Sequence, residues 1–393
     1  MRRTVVWILV AGCAAFATAR DRHALLVHPD EFTDRWIGRA AGLGLDVLGI
    51  HPVGGGGADK SLADLLARLE TPAFRARIDA ARARGLAVEY EMHAASWLLP
   101  RTLFEEHSEY FRMDADGRRT PKGNFCFSNA EAMKIACERA VELAHRLYGS
   151  SHRYYFWLDD VHDGGCRCPS CAKLSASEQQ TLFLNAVLGA LRREIPDAQL
   201  AYLAYQGTVS APRQVKPAEG LFLEFAPINR DMTRPLREQD ASELRDIREL
   251  LSLFGPDRAR VLEYWFDNSY FSKWKKPAKR FVPKTEVIWS DRAYYRELGF
   301  GELCSFACYL GDDYEKLWGE PDVSSFARGF HSTAGGFDGT DFAWSLGDGR
   351  FRFSFDVVDA TVHAVAWCSL LPPGPGPADF HRPCMLFKAE LQR

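Results

Sequence analysis

Eight short apolar runs, each followed by an amphipathic stretch, recur between residues 24 and 308, and this alternation limits the possible folds more than any other feature of the chain. The runs are Ala24 to His28, Leu45 to Ile50, Leu86 to Met92, Tyr154 to Leu158, Leu200 to Tyr205, Leu221 to Ala226, Val261 to Trp265 and Glu302 to Cys308. Helix-like segments lie between them, among them Ser61 to Arg84, Ala130 to Leu147, Ser177 to Ile195, Ala241 to Leu253 and Glu286 to Leu298. Glycines 44, 85 and 299 stand where helices should end just before the next strand. Strands that alternate with helices pair in parallel, and eight such units close into a (β/α)₈ TIM barrel, expected over residues 23–335. An open doubly wound sheet is the competing architecture. It would carry a Gly-rich phosphate turn after its first strand, where this chain has His28-Pro29-Asp30. Gly54 to Gly57 follows the second strand without a Lys-Ser/Thr sequel and reads as a flexible loop.

Both ends of the chain depart from the alternation. Met1-Arg2-Arg3 precedes a short apolar run, the pattern of an export signal over residues 1–22. Leu9-Val10-Ala11-Gly12-Cys13 reads as a lipobox, with lipid attached at Cys13, whereas Ala17-Thr18-Ala19 would suit ordinary cleavage. An extracytoplasmic place follows, as a periplasmic, surface or outer-membrane lipoprotein. Membrane contact is then expected only through the lipid. Residues 336–393 read as short alternating strands that run into Pro-Gly repeats after Leu371, a partial β-sandwich segment.

Candidate chemistry gathers at the ends of the apolar runs. Strand parity sets Tyr155, Trp157 and Asp159 on one face and Phe156 and Leu158 on the other, which aims Asp159 into the barrel mouth. Asp160 follows directly. Two adjacent carboxylates raise each other's pKa and can divide the roles of acid and anion; a loop or capping pair is the plain alternative. Glu224 and Glu263 sit inside apolar strands, where an unpaired carboxylate is costly. Together with Glu91 and His93 on the third run, they suggest a ring of active-site groups, although any one could be a buried structural ion pair. Trp97, Tyr205 and Trp265, with Tyr270 and Trp274, lie at or just past strand ends, where sugar rings could stack.

Cys166-Arg167-Cys168-Pro169-Ser170-Cys171 places three thiols within six residues, and Cys126 is the natural fourth. Export favours two disulfides. A tetrahedral Cys₄ zinc is the alternative. Either would pin the long connection Ala94–Ser128 against the loop that carries Asp160. With 49 Lys and Arg against 52 Asp and Glu, the net charge of −3 gives no reason to expect nucleic acid as a partner.

Leu98-Leu99-Pro100-Arg101, His107-Ser108-Glu109-Tyr110-Phe111, Phe125-Cys126-Phe127-Ser128-Asn129 and the stretch from Asp159 to Cys171 together resemble the exported bacterial domain-of-unknown-function family 4838. That family is related to α-glucuronidases and hexosaminidase-type barrels. The resemblance covers roughly residues 85 to 230, and Cys-x-Cys-Pro-x-Cys is its most specific part. It implies a glycoside hydrolase-like TIM barrel that acts on carbohydrate. The last strands are similar to the start of a family-nine-type carbohydrate-binding module. The expected reaction is hydrolysis of a glycosidic bond without a cofactor. Asp160 serves as general acid, Asp159 as its orienting partner, and Glu263 or Glu224 as nucleophile or base. The adjacent Asp pair resembles hexosaminidase-type sites, in which the substrate's own acetamido group takes part. A non-catalytic glycan-binding lipoprotein on a barrel scaffold is the alternative.

Overall fold

The computed structural model describes residues 22–239, 244 and 246–327, together with strands at 341–346, 349–358 and 361–370. The expected signal up to residue 21, with Cys13, and the Pro-Gly run after Leu371 lie outside the described residues, whereas Arg22 already belongs to the first strand.

The eight strands of the barrel are β1 (Arg22–Val27), β2 (Val47–Ile50), β3 (Glu91–His93), β4 (Arg153–Trp157), β5 (Gln199–Ala204), β6 (Leu221–Phe225), β7 (Arg260–Glu263) and β8 (Glu302–Phe306). All pair in parallel, in the order β2-β1-β8-β7-β6-β5-β4-β3. Parallel bridges Val47 to Ala87 and Ile50 to Tyr90 join the two ends and close the ring. This is the (β/α)₈ barrel that the alternation predicts.

Ten helices accompany the strands among the described residues: α1 (Asp34–Gly42), α2 (Ala58–Leu69), α3 (Pro72–Ala83), α4 (Ala95–Leu98), α5 (Ala130–Arg146), α6 (Ala176–Leu191), α7 (Ile247–Phe254), α8 (Asn268–Phe271), α9 (Thr285–Leu298) and α10 (Asp312–Trp318). The expected single helix from Ser61 to Arg84 is in fact two. Pro72 cannot donate into a preceding turn, so the chain breaks, and Thr71 caps α3 by accepting from the Phe74 amide. Ser175 and Glu178 close a capping box at the start of α6. Gly299 ends α9 at φ 96°, a left-handed conformation that a side chain would disfavour.

Two apolar layers follow from the period of two along each strand. Leu25, Val27, Phe156, Tyr202, Leu223 and Val261 face the helices. Leu26, Tyr155, Trp157, Phe222, Leu262 and Phe306 fill the barrel. Gly49 belongs to this inner packing: a Cβ there would come within 2.2 Å of Leu26 Cδ2. The parity expected for β4 is thus the parity found.

Below the inner apolar layer lies an ion network. Arg260 pairs with Glu89, Glu224 and Glu302, each at 3.2 Å, and with Glu91. Arg22 joins Glu89 and Glu302, and Arg153 joins Glu302. The Tyr155 hydroxyl donates to Glu89 at 2.6 Å. Charges this deeply buried persist only when paired.

The C-terminal strands β9 (Asp341–Leu346), β10 (Gly349–Val358) and β11 (Thr361–Leu370) form a separate antiparallel sheet with β10 in the centre. No helix among the described residues is long and apolar enough to cross a membrane.

Candidate active site

Residues from the C-terminal ends of the barrel strands line a cavity of about 370 Å³. This is the face on which parallel barrels carry their active sites. A second cavity of about 440 Å³ adjoins it, framed by the loops after β4 and β5, and His93, Leu203 and Tyr205 belong to both.

Asp159 and Asp160 separate at this junction. β4 ends at Trp157, so the parity of the strand no longer governs the residues beyond it. Asp159 turns toward the β3 loop, accepts from the Ser96 amide at 3.0 Å and forms an ion pair with Arg101. Its backbone amide donates to Asn124 Oδ1. Burial raises its pKa, and Arg101 opposes that rise. Its carboxylate is therefore held by the protein, at the edge of the second cavity. Asp160 instead lines the central cavity and accepts a hydrogen bond from the Tyr205 hydroxyl at 3.2 Å.

The glutamates do not meet these aspartates. Glu224 and Glu91 are fully buried in the ion network around Arg260, under the cavity floor. Glu224 also accepts from Trp157 Nε1 at 2.8 Å, so the Trp157 ring separates it from any ligand. Burial pushes its pKa to about 7 against the pull of Arg260. Glu263 lies on the outer side of β7, because Arg260, Leu262 and Tyr264 take the inner positions. There it meets Arg230 at 3.3 Å and the Tyr295 hydroxyl at 2.6 Å. Trp265 shares that outer face and donates to Asp291 of α9. Neither residue lines the cavity. Trp97 packs in α4 under the guanidinium of Arg139, in the helix layer, and is no wall of the mouth either. Of the aromatic positions read from the sequence, Tyr205, Tyr270 and Trp274 do line the cavity, and Trp274 is 65% exposed.

The structure adds a carboxylate that the sequence reading missed. Asp267 follows β7 and caps the four-residue helix α8: its Oδ1 accepts from the Ser269 amide and hydroxyl and from the Tyr270 amide. The residue lines the central cavity. Burial raises its pKa to about 6 despite the three donors. Asp160, after β4, and Asp267, after β7, thus border one cavity, and the charge of both reaches Tyr264.

Three histidines complete the rim. His28, His51 and His93 end or immediately follow β1, β2 and β3. Each Nδ1 lies against the next backbone carbonyl around the ring: His51 O at 2.8 Å, Glu91 O at 2.8 Å and Leu158 O at 2.6 Å. A carbonyl only accepts, so each Nδ1 carries a proton, and a ring in its neutral form has its lone pair on Nε2. Burial lowers the pKa of His28, and that of His51 much further. The repeated His-Pro after the first two strands was the available sequence signal.

Cys126, Cys166, Cys168 and Cys171 come together as expected, all buried, with their sulfurs within 4.8 Å of one another. No disulfide joins any two of them. The cluster sits behind the second cavity, whose wall includes Cys166 and Arg167.

Residues 68–305, more than half of the chain, match the family described as domain of unknown function DUF4838. The chain belongs to that family. No curated protein matches the sequence. The DUF4838 chain is similar in backbone to a β-galactosidase from the psychrophilic Marinomonas ef1. The identity is 11% and the TM-score 0.43, over 72% of this chain and 53% of that one, so it spans about half of that enzyme's length. It is similar to a tandem GH20 catalytic module of the pneumococcal exo-β-D-N-acetylglucosaminidase StrH. There the identity is 11% and the TM-score 0.45, over 79% and 83% of the two chains. A GH5-4 broad-specificity endoglucanase from Bacteroides salanitronis is similar at 11% identity and TM-score 0.43, over 75% and 83%. At such identities the likeness concerns the path of the backbone alone.

Proposed function

We propose that this member of the DUF4838 family is an exported glycoside hydrolase that cleaves a poly- or oligosaccharide by carboxylate acid/base chemistry. The observation that carries this reading is the pair Asp160 and Asp267, two carboxylates on separate strand ends that border one open, aromatic-walled cavity.

Their surroundings divide the roles. Asp267 keeps its proton until about pH 6 because burial disfavours the anion, which suits a donor to the leaving oxygen. Asp160, in contact with the Tyr205 hydroxyl, serves as the anionic partner, as base or nucleophile. Asp159, held by Arg101, shapes the loop rather than reacting. The Nε2 lone pairs of His28, His51 and His93 form a row of acceptors suited to sugar hydroxyls. Tyr205, Tyr270 and Trp274 offer faces for sugar rings. The adjoining cavity gives a longer saccharide a second place to bind. Lipid attachment at Cys13 would hold the enzyme at a membrane surface.

The test is a screen of the purified protein against aryl glycosides and polysaccharide mixtures, with Asp160→Asn and Asp267→Asn as controls. Cleavage by the wild type that both variants lose supports the proposal. Retention of a glycan with no cleavage by any form would instead identify a glycan-binding protein on a barrel scaffold.

A further inference from the structure

The four buried cysteines hold more than loop packing requires, and we propose that they bind one zinc ion that fixes the wall of the second cavity. This inference stands apart from the reading of the cavity chemistry: it concerns Cys126, Cys166, Cys168 and Cys171 alone. In a tetrahedron with Zn–S bonds of about 2.3 Å, the sulfurs lie about 3.8 Å apart. Cys126 Sγ is 3.7 Å from Cys168 Sγ and 4.0 Å from Cys171 Sγ. Every sulfur, moreover, is within 4.8 Å of every other. Two disulfides need only two close pairs, each with sulfurs at about 2.05 Å. A shared ion requires all four sulfurs to lie close to one another at once, and they do.

The surroundings suit thiolates. Backbone amides of Met113 and Cys168 donate to Cys166 Sγ at 3.3 and 3.5 Å, and the Cys171 amide donates to Cys168 Sγ at 3.5 Å. Such donors stabilise anionic sulfur and are the outer partners that metal-bound cysteines use. Four thiolates around Zn²⁺ leave a net charge of −2, with the displaced thiol protons released to solvent. The guanidinium of Arg119 is placed to offset part of that charge, 4.0 Å from Cys166 Sγ.

The ligands come from two connections. Cys126 ends the long excursion after β3, where its amide donates to Tyr110 O. The other three lie after β4, where the Arg167 amide donates to Met113 O and the Cys166 amide to Gln179 of α6. One ion would therefore tie both loops to α6 beside Asp159 and Asp160. A zinc bound by four protein ligands has no open position, so its role here is structural.

Elemental analysis of the wild-type protein, purified without chelator or reductant, should find one zinc per chain. Exchange with Co²⁺ should give the intense visible absorption of tetrahedral thiolate cobalt. Cys126→Ser and Cys171→Ser should each lose the bound metal, while Cys137→Ser, on the face of α5, should keep it. Should the cluster variants fail to fold, alkylation of denatured wild type under non-reducing conditions still decides. All four cysteines must react once zinc is chelated. Blocked cysteines with the mass of two disulfides would overturn the proposal, as would free thiols with no bound metal, or iron in place of zinc.

Discussion

The indole nitrogen of Trp157 donates to Oε2 of Glu224 across 2.8 Å, and this bond separates a chemical layer above from a structural layer below. Above it the Trp157 ring forms the cavity floor. Below it four glutamates, Glu89, Glu91, Glu224 and Glu302, surround three arginines, Arg22, Arg153 and Arg260. One carboxylate is in excess: Glu91 Oε2 has no hydrogen-bond partner, and Glu224 Oε1 has only its ion pair with Arg260 Nε. Both carboxyls are pushed up by burial, so the pair retains a proton. Arg260→Met removes the central cation and should cost about 3–5 kcal/mol of stability. Glu224→Gln, which keeps a group able to accept from Trp157, should cost about 1 kcal/mol or less and leave ligand binding intact. Urea unfolding of the two variants measures the difference.

Asp267 should behave as a group that must be protonated to work. With a pKa of about 6, its acid form is depleted as pH rises, so kcat should fall on the alkaline side of about pH 6. Asp267→Asn should lower kcat by about 10²-fold or more, with KM nearly unchanged, and should abolish that alkaline limb. A variant with wild-type rate on a substrate cleaved by the parent chain would remove Asp267 from the mechanism.

Trp274 is exposed yet faces the central cavity, where its ring meets Tyr270 edge-on at 5.8 Å. A packed contact of an aromatic ring with a second ring is worth about 0.5–1.5 kcal/mol beyond the area buried, and a sugar stacked on Trp274 is taken to gain the same order. Trp274→Ala should therefore raise KM or Kd roughly 2- to 12-fold. Its melting temperature should match the parent's, because the lost ring supports no core. Isothermal titration beside a thermal melt checks both halves.

Stability should peak in mild acid. Burial raises the pKa of Glu31 to about 8, of Glu224 and Glu263 to about 7 and of Asp267 to about 6. Each of these folded carboxyls keeps a proton that the unfolded chain loses near pH 4, so together they lower stability as pH rises from about 4 to about 8. His28 and His51, buried and neutral, oppose them below about pH 6.5, because the unfolded chain protonates both. In the opposite sense, hydrogen bonds lower the pKa of the surface carboxylates Asp114 and Asp231, whose contribution disappears in stronger acid. Thermal melts across this range should give a higher Tm near pH 5 than near pH 8. A Tm that rises steadily toward pH 8 would contradict the assignment of these buried protons.

The course of the barrel was legible because it rests on local regularities. Apolar runs of strand length alternate with amphipathic stretches, and the parity of Tyr154 to Leu158 foretells which side chains fill the barrel. The gathering of Cys126 with Cys166, Cys168 and Cys171 was legible too, since four thiols in two loops have few other destinations. The break at Pro72 is also written in the sequence, although the apolar pattern continues through it and masks the break.

The chain by itself therefore determined the number and order of the strands, the face on which the loops lie and the thiol cluster, all set by periodicity and covalent spacing. Only the tertiary structure decided which acids face the cavity. Glu263 and Asp267 stand four residues apart around the same strand end, yet one meets Arg230 behind the sheet and the other opens into the mouth. A buried carboxylate goes where a cation or a set of amide donors can hold it. Those partners, Arg260 for Glu224 and Arg230 for Glu263, arrive from strands and loops far along the chain, so no local pattern records them.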